Sequence, residues 1–260
     1  MIKRPLLFLF IILQFQCTNN KASHSTTKVA TTAFKPHKEA VEVEKTILPI
    51  DIQLAADAQV SYPTTKTTIK KARSNFAKQQ LTTDSLSTLF TNLLVNQIIP
   101  YWYQTPWSFE GHTAIPKEGH IACGYFVSTT LKDMGLHINR YKLAQQNPFN
   151  EARTLALDKP VIEIYNETIR ANIKELQQRL KDGIYFIGFA QSHVGYLFKQ
   201  KSQLFLIHSD YLSAEGVRIE AVEQSAVFGM FHQLYIAKIS TNEQLLNKWL
   251  SQEKIDVQVE

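Results

Sequence analysis

The run IYFIGFAQSHVGYLFKQKSQLFLIHS, residues 184–209, decides the fold. Its three pieces, 184–190, 193–199 and 203–209, are short, rich in β-branched and aromatic residues, and separated by only a few polar residues. That pattern reads as three strands, and connections so short favour antiparallel hairpins. Further along, GVRIEAV (216–222) and HQLYIAKI (232–239) repeat the character of a strand. Before the run the period changes to that of helices. Leu86, Leu89, Phe90, Leu93 and Leu94 fall at helical spacing ahead of Pro100, which predicts a helix that stops at the proline. A second helix is expected over 124–134 with Gly135 as its stop, and a third over 167–181 with apolar Ile169, Ile173, Leu176 and Leu180 on one face. A last helix, TNEQLLNKWL, has Thr241 and Gln244 in capping-box spacing. Helices first and strands second predict an α+β fold.

All nine glycines lie between Gly111 and Gly229, which locates the compact domain over 76–260. The N-terminus has a different character. A cationic MIKR and an apolar PLLFLFIIL precede Cys17, so residues 1–17 resemble a bacterial lipoprotein signal with Cys17 as the lipidated residue, although Gln14, Phe15 and Gln16 stand where small residues are usual. Residues 18–75 are rich in Thr, Lys, Ala and Ser and lack glycine and tryptophan, and are expected to form a flexible tether. Within it, TILPIDIQLAADAQV is apolar enough to dock on the domain. The expected location is therefore the bacterial cell envelope, with the protein held in a membrane by its N-terminal lipid and facing the periplasm or the cell exterior. A net charge of +5 fits lysines in a solvated tail. Without a block of arginines interleaved with aromatics, no nucleic-acid partner is expected.

The chemistry centres on GHIACGYFVSTTLKDMG, 119–135, which holds Cys123, the second of two cysteines in the chain. A thiol at a helix start meets unpaired N–H groups and a partial positive charge. Both predict a lowered thiol pKa, and the same amides could hold an oxyanion. A buried structural thiol is the alternative. His193 and His208 open and nearly close neighbouring strands, so a hairpin would set both imidazoles on one face. His193 then reads as the base and His208 as the group that orients it. Asp210 shares that face as the competing orienter, and otherwise as a contact for substrate. Tyr101, Tyr103 and Trp107 either wall a cleft beside the nucleophile or pack in the core. Close-spaced ligand pairs are absent from the sequence, so neither a metal nor any other cofactor is expected.

CGYFV at a helix start, then HVGYL, then LIHSDY, together resemble the NlpC/P60 branch of the papain-like cysteine peptidases, with Cys123, His193 and His208 matching its three catalytic positions in order. PYWYQT resembles that family's P-Y segment, with Tyr101 at the tyrosine and Tyr103 as a near alternative. RLKDGIYFIGFAQSHVGYL resembles its run from a turn into a strand and on to the histidine. The similarity covers about residues 98–212. It departs at Ala122, where the family has Asp, at Gly124, where it has Ser, and at Gln104–Thr105, where it has two glycines. The resemblance implies a papain-like fold and a cell-envelope cysteine hydrolase that cleaves amide bonds in peptidoglycan stem peptides. Other outcomes for the same side chains are a thioesterase or acyltransferase, a protein-directed cysteine protease, or an inactive relative that binds wall peptides or a protein partner.

Overall fold

The computed structural model describes residues 52–79, 81–190, 192–213 and 215–259, which fall within one compact unit. The signal, Cys17 and most of the expected tether lie outside the described residues. The chain runs α1 (Tyr62–Phe76), α2 (Thr83–Leu93), a π-turn (Leu94–Ile98), α3 (Ile99–Trp102), α4 (Cys123–Asp133), α5 (Arg140–Ala144), α6 (Pro148–Ala156), β1 (Ile162–Tyr165), α7 (Ile169–Arg179), β2 (Gly183–Phe189), β3 (His193–Gln200), β4 (Gln203–Ser209), β5 (Val217–Ala221), β6 (Gln233–Lys238) and α8 (Glu243–Ser251). The α+β architecture is as expected. The six strands form one antiparallel sheet in the order β1-β6-β2-β3-β4-β5, with β2, β3 and β4 as consecutive hairpins. No helix among the described residues is long and apolar enough to cross a membrane.

Both faces of the sheet are covered, so its central strands are apolar on both sides, as the unbroken run 184–189 suggests. Phe186, Tyr196, Phe198, Phe205 and Ile207 join the larger core with the helices α1–α4, α6 and α8. Tyr185, Ile187, Phe189, Leu197 and Leu206 form a second core under α7 and the segment after β5.

The sequence-based boundary at residue 76 moves toward the N-terminus. Ile52 is buried, and α1 sends Tyr62, Ile69 and Arg73 into the domain. The Tyr62 hydroxyl donates to Asp133 (2.7 Å) and accepts from Trp102 Nε1 (2.8 Å), while Arg73 donates to the Gly135 carbonyl (2.8 Å). A helix with a low average hydrophobicity still belongs to the core when its few apolar residues share one face. The expected stop at Pro100 also shifts. The helical path continues through Pro100 to Trp102, because the π-turn precedes it and Pro100 falls in the first turn of α3, where its missing N–H is not needed. The cap of α8 is Asn242, whose side chain accepts from Leu245 N, in place of the expected Thr241.

Candidate functional site

Cys123 is the first residue of α4, and the geometry around that helix start is unusual. Every other α-helix except α3, which continues from the π-turn, begins with a side-chain cap, for example Ser61 on α1, Thr82 on α2 and Thr168 on α7. Ala122 offers none, so the first-turn amides of α4 stay unclaimed by a cap. The approach to Cys123 is pinned by backbone bonds from Ile121 N to Pro106 O (2.9 Å) and from Ala122 N to Gly111 O (2.8 Å), and by the Ser209 hydroxyl on the Ile121 carbonyl (2.7 Å). The body of α4 is tied to the sheet by Tyr196, whose hydroxyl donates to the Val127 carbonyl (3.0 Å) and meets Thr130 Oγ1 (2.7 Å).

Cys123, Trp107, Tyr125, Glu151, His193 and Tyr211 line one cavity of about 610 Å³ at the end of β3 and β4. By strand alternation His193 belongs with Gly195 and Leu197, the face opposite α4. It reaches the cavity because it is the first residue of β3, where the sheet ends. The next residue bears on Cys123, since the Val194 N–H favours its thiolate as a hydrogen-bond donor.

The two histidines meet as the hairpin requires. His193 Nε2 lies 2.8 Å from His208 Nδ1, and His208 Nε2 lies 3.2 Å from Glu220 Oε1. Gly195 makes this possible: a Cβ there would stand 2.9 Å from His208 Cβ and 2.9 Å from the Ile207 carbonyl oxygen. Glu220 in turn accepts from the Ser225 hydroxyl and faces Arg218 Nε at 3.5 Å. Burial raises the Glu220 carboxyl, but the hydrogen bonds from His208 and Ser225 and the charges of His208 and Arg218 outweigh it and hold it below the usual range. An ionised Glu220 accepts only, so His208 Nε2 carries a proton. In a neutral His208, Nδ1 is then the acceptor, and His193 must donate from Nε2. With that assignment His193 Nδ1 carries no proton. In the structure Nδ1 is buried with no hydrogen-bond partner and is not hydrogen-bonded to the thiol.

The expected lowering of the thiol pKa is not what the surroundings impose. Cys123 is itself only partly buried, but the protein packed around it desolvates the thiol and pushes it up to about 11, and a charge on Glu151 would act in the same direction. The amides of Val194, Gly124 and Cys123 itself favour the thiolate but are outweighed. His193 is held well below the ordinary imidazole range by burial and by His208. At rest the pair is a neutral thiol beside a neutral imidazole.

The other expected site residues divide. Trp107 lines the cavity, with its ring 6.0 Å from that of Tyr211. Tyr101 does not line it; its hydroxyl donates to the Val60 carbonyl (2.7 Å) and meets Thr65 Oγ1 (2.9 Å), which fastens the start of α1. Tyr103 is buried away from the cavity lining, with an unpartnered hydroxyl. Asp210 does not orient a histidine. It accepts from the Leu212 N–H (2.8 Å) and faces Arg218 at 3.5 Å.

Three site residues escaped the sequence reading. Glu220 shares a strand face with Arg218, which pairs in register with His208, so alternation along β5 would have exposed it. Tyr211 follows Asp210 and sets its ring 5.3 Å from that of His193; a single tyrosine after a strand gives no signal. Glu151 lies on the apolar face of α6 one turn from Leu155, and an acid within an apolar stripe was the available signal. No protein-family model matches the chain, and no curated protein matches it.

Proposed function

We propose that the chain is a cysteine-dependent acyl hydrolase of the cell envelope, with a papain-like, NlpC/P60-type domain that cleaves amide bonds in peptidoglycan stem peptides. The observation that carries this reading is the unpartnered Nδ1 of His193, a residue that lines the cavity Cys123 enters at an uncapped helix start. When substrate fills the cavity, His193 takes the thiol proton as sulfur attacks the carbonyl, forming the S–C bond. Collapse of the tetrahedral intermediate breaks the C–N bond, and His193 returns the proton to the leaving amine. Water then attacks the thioester, giving up a proton to His193, and the released thiolate is reprotonated. His208 and Glu220 act by keeping His193 in the tautomer that leaves Nδ1 free. A neutral pair fits general-base attack at the moment of reaction, as serine nucleophiles use, in place of a standing thiolate.

The substrate class, the lipid at Cys17 and the envelope location rest on the sequence resemblance. The test is release of new amines from stem peptides carrying γ-D-glutamyl and diamino-acid residues, read by mass spectrometry with Cys123→Ala and His193→Ala as controls. Cleavage that both substitutions abolish supports the reading. A thiol that turns over neither these peptides nor simple thioesters moves the protein to the binding class.

A further inference from the structure

We propose that Glu151 is a catalytic residue of the same site: a carboxylic acid that keeps its proton and donates it as a hydrogen bond to the substrate's carbonyl oxygen, beside the free amides at the start of α4. This rests on the acyl-transfer reading above and deepens it. Glu151 is 2% exposed, its Oε2 has no hydrogen-bond partner, and it lines the cavity of Cys123. Its Oε1 sits against Gly124, where a Cβ would come within 3.2 Å of it and within 2.9 Å of the Ala144 carbonyl oxygen. Gly124 is therefore the residue that lets the α5–α6 wall bring a carboxyl onto the first turn of the nucleophile helix. That same first turn carries the amides of Cys123 and Gly124, which favour negative charge on the sulfur.

The surroundings fix the protonation state. No lysine or arginine forms an ion pair with Glu151 among the described residues. Cys123 and the Tyr196 hydroxyl are the titratable groups that sense its charge, and neither supplies a positive charge while thiol and phenol are neutral. Burial therefore holds the Glu151 carboxyl well above the usual range. A buried, unpartnered acid works against stability, so its place in this wall calls for a partner that arrives with substrate. A carbonyl oxygen meets that need, and its demand for a donor grows as negative charge develops on it. The proton stays on Glu151 throughout, and the thiol proton goes to His193. Ionised Glu151 would do the reverse, since its charge opposes both the thiolate and the oxyanion.

The test compares two reactions of Cys123 in the full chain carrying Cys17→Ser. Iodoacetamide alkylates the sulfur by displacement and forms no oxyanion; p-nitrophenyl acetate acylates it through a tetrahedral oxyanion. Loss of one oxyanion donor lowers the rate on the order of 10²–10³-fold. Glu151→Leu should therefore lower acylation by about that factor relative to alkylation, and Glu151→Gln, which keeps an N–H donor, by less. Equal changes in both reactions, or none, overturn the proposal while leaving the enzyme reading intact. A wild-type thiol that is alkylated but acylated no faster than in Cys123→Ala overturns both. Should Glu151→Leu fail to fold, the infrared carbonyl band of the protonated acid decides, assigned by its loss in Glu151→Gln. In the wild type it should shift when a peptide aldehyde adds to Cys123 and sets a hemithioacetal oxygen at this position. An unmoved band overturns the proposal.

Discussion

Alkylation of Cys123 should be slow at neutral pH and should keep rising through pH 10. Burial lifts this thiol from 9.0 to about 11, so at pH 8 the thiolate fraction falls about a hundredfold, from near 10⁻¹ to near 10⁻³. The rate with a small neutral reagent follows that fraction. Mass spectrometry of the Cys17→Ser chain with iodoacetamide should give about a tenfold increase per pH unit between 7 and 10, without a plateau, while the same chain unfolded in urea should inflect near the ordinary value of about 8.5. His193→Ala should not raise the folded inflection, because a neutral imidazole contributes no charge to lose. A plateau already reached below pH 7, removed by His193→Ala, would show a standing thiolate–imidazolium pair and refute the reasoning about burial.

Five further outcomes follow from the same geometry. Gly195→Ala places a methyl 2.9 Å from His208 Cβ; it should weaken the fold by about 1–3 kcal/mol in urea unfolding and slow acyl transfer while leaving Cys123 open to alkylation. Glu220→Gln removes the anion that fixes the His208 tautomer, and acylation should fall on the order of tenfold or more with the fold retained by circular dichroism. A chain beginning at residue 77 loses the buried contacts of Tyr62, Ile69 and Arg73 and should melt well below one beginning at residue 52; equal melting temperatures would return α1 to the tether. Stability should decline as pH falls below about 6.5: His193 is held neutral in the fold while the unfolded chain takes up its proton, so the unfolded state gains. His193→Gln should flatten that acid limb in urea titrations at several pH values. Glu151 has the opposite sign, being raised in the fold; its contribution is full below about 4.5 and declines as pH rises, so Glu151→Gln should stabilise the protein near pH 7.

The strands and the helix bearing Cys123 were legible because each carries its own local signal. Residues 184–209 alternate too little for a half-exposed sheet and are too short between breaks for helices, and the structure pairs them as two hairpins. The meeting of His193 with His208 was one of two readings open from that pairing, since the register that sets His208 opposite Gly195 leaves Asp210 on the same face. Elements whose reason lies elsewhere in the chain were missed. Helix α1 has apolar residues only at Tyr62, Ile69 and a few neighbours, and its attachment depends on Asp133, Trp102 and the Gly135 carbonyl. Strand β1 is four residues long and exists because β6 offers it an edge. The thiol's pKa was misjudged for the same reason: the helix start is local and visible, but the burial that outweighs it comes from α5, α6 and β3.

The departures at Ala122 and Gly124 then take on a physical sense. An ionised acidic side chain at position 122 would bring a negative charge close to the sulfur beside a Glu151 that keeps its proton, and that charge would make thiolate formation harder still. A serine at 124 would meet the Ala144 carbonyl at 2.9 Å and Glu151 Oε1 at 3.2 Å. The alanine before the nucleophile and the glycine after it are thus the residues compatible with a wall that presses a carboxyl onto the start of α4. The segment that bears Cys123 carries no acid at position 122, and α6 supplies one from the cavity wall, where burial keeps it protonated. Ala122→Asp should therefore raise the alkylation inflection of Cys123 and slow acyl transfer whether residue 151 is Glu or Gln, and a charge effect that vanishes in the Glu151→Gln background would show Glu151 to be ionised and refute its role as a donor.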